Sequence, residues 1–213
     1  MAIFFQHTIN DDTKLGIWKI EEQEDFFLKH VPLKREVSHP YKRLQHLAGR
    51  YLLPVLFKDF PIEEIKVADT RRPFLHDEKY HFSISHCGNY AAAIASSVQR
   101  VGVDIEIITP TVGRVADRFL NEPERALLEE WKVIPNVYLQ LLTVIWSAKE
   151  AVYKWYGEGK VDFRAHIRMQ GTKIVINPDE TLNLKFLFMK NNPVELNIEV
   201  KLFENLVLAW VAS

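Results

Sequence analysis

Val101-Gly102-Val103-Asp104-Ile105-Glu106-Ile107 alternates branched apolar residues with small or acidic ones. That period of two predicts a β-strand with Val101, Val103, Ile105 and Ile107 on one face and Gly102, Asp104 and Glu106 on the other. Carboxylates two apart on a strand lie within ~7 Å of each other, so Asp104 and Glu106 repel and call for a counter-charge. A hard divalent cation supplies one, and magnesium keeps open positions for water and phosphate. The alternative is a half-exposed strand whose outer face happens to be acidic.

Just upstream, Tyr80, Phe82 and Ile84 alternate with polar residues, Gly88-Asn89 reads as a turn, and Tyr90 to Ala95 reads as a buried strand. Farther back, residues 13–20 alternate as a strand around Trp18, and residues 40–58 carry apolar residues at helical spacing with Pro54 inside. Downstream, 114–132 and 136–156 read as helices separated by Ile134-Pro135-Asn136. The remainder reads as strands over 164–169, 173–176, 182–189, 195–203 and 206–212. This order predicts an α+β chain in two halves, 1–99 and 100–213, each a small, mainly antiparallel sheet packed with helices.

The helix ending near 156 places Leu141, Leu142, Ile145, Ala148, Val152 and Trp155 on one side, leaving Ser147, Glu150 and Lys154 together on another. Taken alone, Glu150 and Lys154 could be an exposed i,i+4 pair worth a few tenths of a kcal/mol.

The 27 basic and 28 acidic residues give a net charge of −1, which argues against sequence-independent nucleic-acid binding. The single cysteine, Cys87, excludes an intramolecular disulfide and fits a reducing cytoplasm. The N-terminus lacks the pattern of a secretory signal, and no apolar run approaches the ~20 residues of a membrane span. A soluble, cytoplasmic protein is the expectation.

Gly102 to Glu106, then Arg118-Phe119-Leu120, then Trp146-Ser147-Ala148-Lys149-Glu150-Ala151-Val152-Tyr153-Lys154 together resemble the paired signature of the phosphopantetheinyl transferase superfamily. The likeness is to the long, monomeric type that activates peptide and polyketide synthetases, in which two similar α+β halves are fused in a pseudo-twofold arrangement. His81-Phe82-Ser83-Ile84-Ser85-His86 resembles the segment whose Ser-His pair binds coenzyme A, and Arg71-Arg72-Pro73 the basic-residue-plus-proline motif before it. Lys42 to Arg50 resembles the helix that supplies a further cation, either Arg43 or Arg50. Arg72 stands where lysine is common, and Cys87 where a residue such as serine is frequent; Cys87 reads as tolerated, not as a nucleophile.

The resemblance implies transfer of phosphopantetheine from coenzyme A to a serine of an apo acyl or peptidyl carrier protein, with release of adenosine 3′,5′-bisphosphate. It implies Asp104, Glu106 and Glu150 as ligands of magnesium, or manganese in its place. Arg43 or Arg50, Arg72, Ser85, His86 and Lys154 would bind coenzyme A. Glu150 is implied as general base, ligand or both, and Lys154 as stabiliser of the leaving group. Glu124 reads either as a site carboxylate or as a first-turn residue favoured by the helix dipole after Pro123. Arg114, Arg118, Arg125, Leu127, Leu128 and Trp131 are candidate contacts for the carrier. Two other readings stay open: a magnesium nuclease or phosphatase, which leaves Ser85-His86 without a role, and an inactive coenzyme A- or carrier-binding module.

Overall fold

The computed structural model describes residues 3–33 and 37–213. A hairpin of β1 (Ile3–Asn10) and β2 (Thr13–Lys19) opens the chain, followed by a short helix α1 (Glu24–Leu28) and a long one, α2 (Pro40–Leu56). The two-residue strands β3 (Lys66–Val67) and β4 (Pro73–Phe74) lead to a second hairpin, β5 (His81–Cys87) and β6 (Tyr90–Ser96). Then come β7 (Val101–Ile107), α3 (Thr111–Phe119), α4 (Glu122–Leu128), a 3₁₀ turn and the 22-residue α5 (Pro135–Tyr156). The chain ends in β8 (Ile167–Gln170), β9 (Thr181–Phe188), β10 (Val194–Leu202) and β11 (Leu206–Ala212).

The fold is α+β. One sheet has the order β1-β2-β6-β5 and the other β7-β11-β10-β9-β8, and every neighbouring pair is antiparallel. Alternation along the strands sets the layers. Ala91, Ala93 and Ala95 of β6 face α2, while Ala92 and Ile94 turn the other way and meet Val101, Val103 and Ile105 of β7 with Leu208 and Trp210 of β11. The second sheet's far face carries Leu182, Phe186, Ile198 and Val200 against Val144, Ala148 and Val152 of α5. The sheets are thus stacked face to face, with α2 and α5 outside.

Gly102 explains how closely α5 approaches β7. A Cβ there would lie 2.7 Å from the Trp155 backbone nitrogen and 3.0 Å from the Ala151 carbonyl carbon. The face of β7 bearing Asp104 and Glu106 therefore lies under a helix, and Asp104 is only 3% exposed. The merely acidic outer face is not what the fold presents.

Several expectations need correction. The helix expected over 114–132 is two helices and a 3₁₀ turn, because Asn121 and Glu124 form a capping box that starts α4. Residues 173–176 form no strand, and the strand expected at 164–169 runs over Ile167–Gln170. Strand β1 and helix α1 were not expected; the polar residues of β1 hide its alternation because it is a sheet edge. Pro54 lies inside the last turn of α2 without ending it at once. No helix among the described residues is long and apolar enough to cross a membrane.

Candidate functional site

Strand β5 lies beside β7, and its alternate side chains replace a ladder. Ser83 Oγ accepts the Val103 N–H at 3.2 Å, and Cys87 Sγ accepts that of Ile107 at 3.4 Å. Between them, the Ser85 hydroxyl donates to Asp104 Oδ1 at 2.8 Å. From α5, Lys154 Nζ donates to the same oxygen at 2.7 Å and to Ser85 Oγ at 2.8 Å. Three elements, β5 from one sheet, β7 from the other and α5, thus converge on one carboxylate. Lys154 pairs with Asp104 on β7 rather than with Glu150 on its own helix.

Asp104 Oδ2 is buried and makes no hydrogen bond, whereas Oδ1 has two. A buried charged oxygen without a partner costs about 1–3 kcal/mol or more, so it marks a place where a ligand would be gained. Glu106 Oε1 accepts the Trp146 indole N–H at 3.2 Å. Burial pushes the Glu106 pKa up, and the Asp104 carboxylate adds to that. Burial likewise raises Glu150, to about 7, with Asp104 next and Glu106 also raising it while Lys154 opposes.

These mutual effects bring Asp104, Glu106 and Glu150 into one electrostatic group with Lys154 as the counter-charge. As the side chains stand, no three His, Cys, Asp or Glu among the described residues are grouped so that they could hold a metal ion. The donor types still suit a hard cation: three carboxylates, with the buried Asp104 Oδ2 unpartnered.

His86 follows on β5. The residue is exposed as a whole, yet packing around its ring lowers the pKa, with Lys154 acting the same way and Asp104 opposing. Lys154 also lines a cleft of about 200 Å³ with Arg71, Arg72, Pro73, Ser83 and Tyr153. Arg72 is shared with an adjoining cleft of similar size bordered by Leu75, Glu78 and Tyr80. A cleft with cations at one end and apolar walls suits a phosphate-bearing ligand with a ring or chain attached.

Neither Arg43 nor Arg50 borders these clefts. The Arg43 guanidinium is held by Glu24 through Nε at 2.7 Å and Nη2 at 2.8 Å. Arg50, two turns on, meets His46 Nδ1 at 3.0 Å.

Glu124 is 1% exposed and paired with Lys149. Sequence reading gave no role to Trp146 or Ser83, and counted Lys149 only as part of the signature that speaks against an inactive module. Trp146 lies one turn before Glu150 and the Ser83-Ser85-Cys87 register has period two, so both signals were present in the spacing.

The model of the 4′-phosphopantetheinyl transferase superfamily matches residues 100–211, a stretch that contains β7 and α5. The chain belongs to that superfamily. Enterobactin synthase component D of Salmonella typhi is 34% identical over 140 residues, covering 64% of this chain and 57% of that relative. The 4′-phosphopantetheinyl transferase AcpT of Escherichia coli (strain K12) is 30% identical over 128 residues, 59% of this chain and 64% of the relative. The Escherichia coli (strain K12) enterobactin synthase component D is 29% identical over 136 residues. The aligned stretch spans less than two-thirds of the first of these relatives. Within the superfamily match lie Asp104, Glu106, Glu150 and Lys154; Arg72, Ser85 and His86 precede it.

Proposed function

We propose that this superfamily member transfers phosphopantetheine from coenzyme A to a serine hydroxyl of an apo acyl or peptidyl carrier protein. The observation that carries the reading is the convergence of Ser85, Lys154 and the half-satisfied Asp104 beside the Arg72 cleft. The cleft's cations suit the coenzyme's phosphates, and its apolar walls suit the adenine or the pantetheine arm. Asp104 and Glu106 are the residues that would hold magnesium or manganese. Bound there, the cation would offset the charge of the pyrophosphate.

The remaining steps belong to the chain itself. Arg72 and Lys154 hold the phosphate groups and orient the reacting phosphorus toward the incoming hydroxyl. The bond from the carrier serine oxygen to that phosphorus forms as the bond to the adenosine 3′,5′-bisphosphate oxygen breaks. The serine proton passes to Glu150, one turn before Lys154 on α5, where Glu150 serves as the general base rather than as a ligand of the cation. Lys154 stands where negative charge grows on the leaving phosphate.

The carrier would approach by the open groove of about 450 Å³ between the end of α3 and the 161–164 loop, lined by Arg118, Trp146, Phe163 and Arg164. Of the expected contacts, Arg118 borders this groove, while Leu128 is 1% exposed and Arg125 is paired with Asp117. Purified protein mixed with coenzyme A, magnesium and an apo-carrier tests the reading by mass spectrometry. A mass gain of one phosphopantetheine, abolished by chelator, supports it; no gain with several carrier types overturns it.

A further inference from the structure

Helix α5 ends at Gly157, whose φ of 74° lies in the left-handed region and whose N–H closes on Tyr153 O at 3.0 Å. Glycine at this place would be explained by that φ alone. A second constraint is independent of it. A Cβ on Gly157 would come within 2.5 Å of Arg72 Cδ and 2.7 Å of Cζ, with Nη1 nearer still. The Arg72 side chain therefore lies directly on the bare Cα of the helix cap.

The loop that carries Arg72 is fastened to the same spot. Ala68 N–H donates to Arg72 O at 2.9 Å, Arg71 N–H donates to Ala68 O at 2.8 Å, and Arg71 takes a φ of 67° to close the turn. Thr70 Oγ1 donates to Gly157 O at 3.3 Å. Residues 68–72 belong to the first half and Gly157 to the second, so this contact joins the halves at the mouth of the cleft. Arg72 is half-buried, and Glu158 and Glu78 are the carboxylates whose charges reach it. Arg72 and Gly157 border both adjoining clefts.

We propose that Gly157 is a positioning residue: its missing side chain is the seat that holds Arg72 toward the coenzyme phosphates. The inference rests on the transferase reading. It adds that the phosphate-binding cation takes its place from α5, the helix that also carries Glu150 and Lys154. Lys154 is one turn from Gly157, about 4.5 Å along the axis. One rigid element thereby sets both the reacting groups and the cation that fixes the substrate. A side chain at 157 displaces the far end of a flexible arginine, so it moves Arg72 without forcing the helix off the sheet.

Asparagine tolerates the left-handed region but brings a Cβ, so Gly157→Asn separates the seat from the cap. Initial rates are measured against coenzyme A and, separately, against apo-carrier. Adenosine 3′,5′-bisphosphate affinity is measured by calorimetry, which needs no turnover. Gly157→Asn is expected to raise the KM for coenzyme A and the Kd for the bisphosphate roughly tenfold while kcat stays within about threefold. Arg72→Ala is expected to weaken both by roughly 10- to 100-fold, the worth of a charge-assisted contact. Adding Gly157→Asn to Arg72→Ala should change nothing more.

A purely structural cap would instead lower the thermal midpoint in both backgrounds and leave the KM for coenzyme A alone. That result overturns the seat, as do effects of the two substitutions that multiply. A parent that binds the bisphosphate but transfers nothing refutes the transferase reading, and the Kd series still decides the seat. A parent that binds neither ligand refutes both.

Discussion

Lys149 on α5 is fully buried, and replacing it with methionine should unfold the protein far more readily than its place beside the site suggests. Its Nζ donates to Phe119 O at 2.7 Å, Glu124 Oε2 at 2.7 Å and Phe163 O at 3.0 Å. Burial lowers the Lys149 pKa and Glu124 opposes the fall, but three oxygen acceptors match the three N–H bonds of the charged form. Glu124 in turn accepts the Met169 N–H at 2.9 Å and the Asn121 N–H at 3.0 Å. The ion pair, with side-chain exposures of 0% and 1%, therefore ties α4, α5, the 163 loop and β8 together.

Breaking a buried pair by removing one partner costs about 3–5 kcal/mol, because the other charge stays behind. Two backbone N–H donors remain on Glu124 and soften that loss, while two carbonyls lose their donor at about 1 kcal/mol each. We expect Lys149→Met to lose about 4 kcal/mol, which for a chain of this length is about 8–16 °C in Tm. Urea unfolding followed by tryptophan fluorescence and by circular dichroism measures it. Adding Glu124→Gln should return about 1–2 kcal/mol by removing the stranded charge. A Lys149→Met loss under about 1 kcal/mol, or a double variant worse than the sum of its parts, would refute the reasoning.

Three further outcomes follow from the site. In chelator, burial holds Glu150 at a folded pKa of about 7 against its ordinary 4.5, so its contribution is full below pH 4.5 and is lost as pH rises through 7. Glu150→Gln should therefore raise metal-free stability by about 2–3 kcal/mol at pH 8 and by almost nothing near pH 4.5; equal thermal shifts at both pH values would contradict this. Burial pushes the Cys87 thiol to about 11, so its iodoacetamide alkylation at pH 7.5 should be roughly a hundredfold slower than that of an unhindered thiol, and rapid labelling would count against the packing. Gly102→Ala drives a methyl into the α5 backbone and should destabilise by about 3 kcal/mol or more in urea melts; a loss under about 1 kcal/mol would mean the helix yields easily.

How far the sequence carried differs by region. Residues 101–107 alternate without interruption because one face meets the other sheet and the other meets α5, so both the strand and its carboxylate face were legible. So was the α5 stripe from Leu141 to Trp155. Residues 114–132 misled because an apolar stripe runs across two helices, while the Asn121-Glu122-Pro123-Glu124 capping box, readable in principle, was outweighed by it. β1 was invisible because its edge position leaves polar residues on both faces. In the site, spacing could place Asp104 with Glu106 and Glu150 near Lys154. It could not say that Lys154 would cross to Asp104, that Arg43 would be taken by Glu24, or that Arg72 would lie on Gly157. Each of these depends on how elements distant in the chain pack together, and no local period encodes that.

The central claim is that Asp104, gripped by Ser85 and Lys154 on one oxygen and open on the other, is the heart of the reaction centre. Its direct test is the rate of phosphopantetheine transfer to an apo-carrier by Asp104→Ala, with thermal midpoint and near-ultraviolet circular dichroism recorded on the same preparation. The account predicts a loss of roughly a thousandfold or more in kcat/KM with the fold retained. A folded Asp104→Ala variant within tenfold of the parent would contradict it.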